Sequence, residues 1–252
     1  MKIFLRLPFY TIFCAMLLLS ACEKQGNSSA ADSASAGAGG SLARFAISGN
    51  YLYTVDSHML TVYDITNPAL PVNKGQVYAG FDIETIFPFK DKLMLGASNG
   101  LYIYSIADPV KPVKESSITH FRACDPVVTN DTISYVTLRS GNGSCGSLKN
   151  VLNVYDIKDS KAPKLVKEID LKSPYGLGIK QKALYICEAD NGLGVFSLAD
   201  PYNPKKIAEF KDDLYYDVIP YGDILIAYID KGVSFFDITD PLNIVKAGTV
   251  SN

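Results

Sequence analysis

Arg44, Glu84, Arg122, Asp125, Tyr175, Tyr216 and Asp217 are the side chains whose types and spacing could build a polar site. Counting eight residues back from Leu52, Leu93, Ile133, Leu184 and Leu225 gives Arg44, Thr85, Asp125, Gly176 and Asp217. The position before each gives Ala43, Glu84, Cys124, Tyr175 and Tyr216. If those stretches are equivalent and converge, carboxylates, guanidiniums and phenol rings collect around one mouth. Such a set suits a polar small molecule or the tip of a peptide. Paired carboxylates flanking a bond could also hydrolyse glycosides, one as acid and the other as base or nucleophile. The plain alternative is that these groups bond neighbouring backbone and channel water.

Other chemistry has less to stand on. The chain has two histidines, His58 and His120, and no tryptophan. It has no GxSxG-like elbow, so a hydrolase triad is not expected. His58 stands beside Met59 between strands and reads as a loop cap. No metal-ligand spacing of His and Cys is present. No cofactor is expected, with a calcium-stabilised channel carried as a third reading.

What must position the candidate residues is a repeat. Segments beginning at Leu60, Leu101, Leu152, Leu193 and Val233 superimpose without gaps, with a period of about 41 residues and one longer interval. Each reads as a short strand, apolar on both faces, with Tyr63, Tyr104, Tyr155, Phe196 or Phe236 at its fourth position. Each ends in an Asx before a proline site: Asn67, Asp108, Asp159, Asp200 and Asp240. An Asx side chain there caps a turn that proline pre-sets, so this motif reads as turn chemistry. A second proline follows at Pro71, Pro112, Pro163 and Pro204, where it blunts an outer edge strand. Two further strands precede each segment. Four antiparallel strands per period predict an all-β propeller of five four-stranded blades, about 42–77, 81–118, 121–169, 174–210 and 214–250. The first blade starts at its inner strand and the last ends at its outer one, so the ring is expected to close by packing blade 1 against blade 5.

Cysteine placement adds one bond. Cys124 starts an inner strand, and Cys145 lies in the insertion Ser140–Lys149 that lengthens the third repeat. Both belong to the same propeller face, which predicts a Cys124–Cys145 disulfide worth roughly 3 kcal/mol. Cys187 is left as a buried strand residue.

The run from Asn99 to Pro112 (NGLYIYSIADPVKP) resembles the LVIVD repeat, and the resemblance extends over about Leu42 to Val250. The third copy has Ser160 for the first proline, and the fifth has Ile244 for the second. The resemblance implies a propeller in an exported or cell-surface protein, and no common activity.

The N-terminus supplies a setting. Lys2 and Arg6 precede an apolar run from Leu7 to Leu19, too short to span a membrane, that ends in Leu19-Ser20-Ala21-Cys22. This predicts a lipoprotein signal over 1–21, acylation of Cys22, a flexible tether over 22–40 reaching about 25 Å, and a globular body over 41–252. Glu23, where the inner-membrane retention signal would carry Asp, favours the outer membrane facing the periplasm. The formal net charge is −2, and no basic run offers a nucleic-acid footprint. The expected partners are the membrane, through the acyl chains, and an envelope protein or glycan. The expected function is a non-catalytic binding or scaffold module, and the alternative is a glycoside hydrolase or lyase at the channel mouth.

Overall fold

A computed structural model describes residues 40–119, 126–140 and 149–251. All belong to one compact unit, Ala34–Asn252. Blade 1 comprises β1 (Phe45–Ser48), β2 (Tyr51–Val55), β3 (Met59–Asp64) and β4 (Val72–Tyr78); blade 2 comprises β5 (Ile83–Phe89), β6 (Lys92–Ala97), β7 (Gly100–Ser105) and β8 (Val113–Thr119). Blade 3 holds β9 (Val127–Asn130), β10 (Ile133–Leu138), β11 (Val151–Asp156) and β12 (Lys164–Asp170). Blade 4 holds β13 (Leu177–Lys180), β14 (Ala183–Cys187), β15 (Leu193–Ser197) and β16 (Lys205–Phe210). Blade 5 holds β17 (Tyr215–Tyr221), β18 (Ile224–Ile229), β19 (Gly232–Asp237) and β20 (Val245–Ser251). Each sheet is an antiparallel meander in chain order, and the first strands of consecutive blades lie against one another. The fold is a five-bladed β-propeller.

Turn chemistry repeats with the blades. Asn67, Asp108, Asp159, Asp200 and Asp240 each accept, at 3.0–3.2 Å, the N–H two residues on. The third and fourth strands of every blade share a bulge at the same place, before Tyr63, Tyr104, Tyr155, Phe196 and Phe236. A bulge next to an edge twists that edge away from a straight strand partner.

The core consists of four apolar layers, each between consecutive blades. Tyr53 and Val62 meet Ile86 and Leu95; Met94 and Ile103 meet Val136 and Tyr155. Tyr135 and Val154 meet Leu184 and Phe196; Tyr185 and Val195 meet Leu225 and Phe236. Among the described residues no such layer joins blade 5 to blade 1. Accordingly β6, β10 and β14 are buried on both faces, whereas β2 and β18 alternate. Neither the strand pattern nor the apolar clusters among the described residues show how blade 1 packs against blade 5. Blade 5 keeps apolar residues on its outward face, including Ile224, Ile226 and Phe235, so its strands read like covered ones.

Polar bonds stitch the blades as well. Tyr53, Tyr135 and Tyr185, at one repeat position, each donate from the hydroxyl to the carbonyl of Pro109, Pro201 or Pro241 in the next blade, at 2.8–2.9 Å. Blade 2 has Met94 at that position, and blade 3 has Ser160 for the proline. There the Ser160 hydroxyl donates to Glu115, and the Ser160 carbonyl accepts the Ser116 hydroxyl.

Candidate functional site

In a four-stranded meander the second-to-third-strand loops and the blade-to-blade connections share one face. Backbone bonds tie them together here: Ala79 to His58, Ile83 to Ser57, and Ala189 to Tyr215. Of the candidate residues, Arg44, Glu84, Tyr175 and Tyr216 stand at the inner margin of that face. Glu84 and Tyr216 are the extra residues of bulges in β5 and β17, the device that turns a side chain out of a ladder. Tyr175 precedes β13, and exposed Arg44 precedes β1 with its carbonyl accepting Val55 N–H at 2.9 Å.

The tyrosines form a continuous aromatic wall. Tyr175 and Tyr216 meet edge to face with centroids 5.3 Å apart, and Tyr216 leads on to Tyr228 at 5.9 Å. Arg139, which the sequence reading missed, lays its guanidinium over the Tyr175 ring at 3.9 Å. Such a contact contributes about 0.5–1 kcal/mol when exposed. Arg139 directly follows β10, where the other repeats carry Ser57, Ser98, Ala189 and Asp230, so no shared residue type marks the position. Glu84 belongs to the same neighbourhood. Partial burial raises its carboxyl pKa first, Asp82 adds to the rise, and Arg44 and Arg139 pull it back. The Tyr216 phenol is also raised, first by loss of solvent and then by Asp230, Tyr175, Tyr228 and Asp190.

Asp217 departs from expectation. It does not stand in the open rim. Its carboxylate is largely buried and accepts bonds from the Ser41 hydroxyl, at 3.3 Å, and from the Leu42 and Val218 N–H groups. A Cβ at Gly40 or at Gly176 would collide with it. Burial pushes its pKa up to about 6.

The register of blade 3 also differs. Leu52, Leu93, Leu184 and Leu225 pair with Tyr63, Tyr104, Phe196 and Phe236, and the residue opposite Tyr155 is Ser134 rather than Ile133. Pro126 therefore matches Arg44 and Asp217, as its carbonyl accepting the Thr137 N–H shows. The slip arose because β10 is buried on both faces, so its pattern carries no phase. Arg122, Asp125, the cysteines of the expected disulfide (Cys124 and Cys145) and the acylation site Cys22 lie outside the described residues.

A second aromatic group lies on the same face. His58 stacks on Tyr78 at 6.3 Å and tilts against Phe81 at 5.5 Å, and both partners are exposed. Asp56 accepts the His58 and Met59 N–H groups, so the side chain that caps this loop is Asp56 and not the histidine. Among the described residues, no three His, Cys, Asp or Glu side chains are grouped to hold a metal ion.

The LVIVD repeat family matches residues 39–79, the approach to blade 1 and the blade itself. No curated protein sequence matches the chain. Solved structures match in fold. A functionally unknown protein from Desulfotomaculum acetoxidans DSM 771 superposes with TM-score 0.64 at 10% identity, over 80% of this chain and 66% of that one. A protein from Lactobacillus plantarum gives 0.60 at 12%, over 80% and 68%. The periplasmic gluconolactonase PpgL of Pseudomonas aeruginosa gives 0.62 at 11%, over 81% and 68%. The chain spans about two thirds of the length of each. At these identities the likeness shows the fold alone.

Proposed function

We propose that this protein is a non-catalytic binding module of the bacterial envelope that uses its channel mouth to hold a glycan or the tip of an envelope protein. The observation that carries the reading is the wall of Tyr175, Tyr216 and Tyr228 with Arg139 stacked on it and Glu84 beside it. Aromatic faces with a few convergent polar groups are the chemistry of a ligand site, and they lie on bulges and loops fixed by rigid sheets. The lipobox-like Leu19-Ser20-Ala21-Cys22 and the polar stretch after it support lipid anchoring through Cys22, with Glu23 favouring the outer membrane and a periplasmic face. Hydrolysis is the weaker reading. A glycosidase needs two carboxylates across an open cleft, whereas Glu84 lies beside two arginines and Asp217 is enclosed.

The test is ligand capture by the purified full chain on an array of envelope glycans and peptidoglycan fragments, followed by titration of whatever binds. Tyr216→Ala and Arg139→Ala should each weaken binding about ten-fold, as losing one aromatic or cationic contact does. Unchanged affinity in both variants, or turnover of a bound glycan, would sink the proposal.

A further inference from the structure

Among the described residues the five blades share four apolar layers, and the two ends of the ring are joined by something else. The free face of blade 5 carries Ile224, Ile226, Tyr228, Val233 and Phe235, and that of blade 1 carries Phe45, Leu52 and Tyr63. Phe45 is 55% exposed and Tyr228 56%, whereas their repeat equivalents Ile86 and Cys187 are buried. Between these faces enters the short run 40–44, whose residues reach four blades. Ser41 is 1% exposed; its oxygen accepts Leu177 N–H of blade 4 at 2.8 Å, and its hydroxyl donates to Asp217 of blade 5. Gly40 packs on Ile219 and Asp217, and Leu42 N–H bonds the same carboxylate. The Ala43 carbonyl then accepts Ile86 N–H of blade 2, and the Arg44 carbonyl accepts Val55 N–H of blade 1, both at 2.9 Å.

We propose that residues 40–44 are a polar clasp that shuts the seam between the last and first blades, and that releasing it opens the apolar faces of those blades. Three features carry this. The bonds bridge the two ends at the channel. No apolar layer among the described residues does so. Gly40 and Gly176 leave room for the Asp217 carboxylate and for nothing larger. Among the described residues, opening a seam closed this way breaks a few hydrogen bonds and no apolar layer, so the seam is the place where local opening is easiest.

The test is amide hydrogen exchange, resolved by peptide, on the full chain. Ser41→Ala removes both bridging bonds, and Gly40→Val pushes a side chain into Asp217. Both should raise exchange about ten-fold in β1, β2, β17 and β18 and leave β6, β10 and β14 at the wild-type rate. Asp217→Asn keeps an acceptor for Ser41 and Leu42, so its seam exchange should not rise above wild type, while Asp217→Ala should behave like Ser41→Ala. Should Gly40→Val not fold, the remaining three decide the matter. Exchange that rises evenly across all five blades, or does not change in Ser41→Ala and Asp217→Ala, overturns the clasp.

Discussion

Asp217 shows how one residue can hold a fold together and cost it stability. Its carboxyl titrates near 6 in the folded protein, against an ordinary value of 3.8, because burial penalises the charged form. Between those values the folded state binds the proton that the unfolded state has released, so this group's contribution falls as pH rises through the window. Above about pH 6 the full cost is present, about 3 kcal/mol. Asp217→Asn should therefore be the more stable protein at pH 7.5, by up to about that amount, and the advantage should vanish near pH 4. Denaturant melts of both proteins across the range check this; a constant difference would mean that Asp217 does not titrate there. The site as a whole was legible only in part at this scale. Glu84, Tyr175 and Tyr216 were found because repeats put equivalent residues at one mouth. Arg139 was not, since no shared residue type marks its position in the repeats.

At the scale of the strand pair, the repeated positions divide into those that make turns and those that join blades. The Asx turns were readable because each is a local bond two residues long. The tyrosine-to-proline links were not, since their partners lie 56 to 66 residues apart in sequence and in different blades. Burial pushes these tyrosine hydroxyls well above their ordinary pKa, so they remain donors throughout the physiological range. Removing one hydroxyl leaves a proline carbonyl short of a partner. Tyr185→Phe should cost about 1 kcal/mol by chemical denaturation. The blade 2 to blade 3 junction makes the sharper comparison. Restoring the repeat consensus with Ser160→Pro ought to help a lone turn, yet it deletes the donor to Glu115 and should destabilise by about 1–2 kcal/mol. A gain in stability would show that the serine is a mere lapse from the pattern.

For the whole molecule, five stacked sheets with four apolar layers behave as a short one-dimensional array, in which each blade draws stability from its neighbours. Among the described residues, blades 2, 3 and 4 are covered on both faces, and blades 1 and 5 on one. The repeat revealed the number of blades, but not which faces are covered, because blade 5 is written with the same apolar pattern as its neighbours. Equivalent positions therefore have unequal worth. Ile224 begins β18 and is 46% exposed on the seam, while its repeat equivalent Ala183 begins β14 and is fully buried between blades 4 and 5. A lysine at 183 must bury an ammonium among Leu225 and Phe236 or push the blades apart, at a cost of several kcal/mol. A lysine at 224 can keep its charge in water, so Ile224→Lys should lie within about 0.5 kcal/mol of wild type. Denaturation of the two variants measures the asymmetry directly. If Ile224→Lys proved as damaging as Ala183→Lys, blade 5 would have to be covered by blade 1 in solution, and the ring would close through an apolar layer after all.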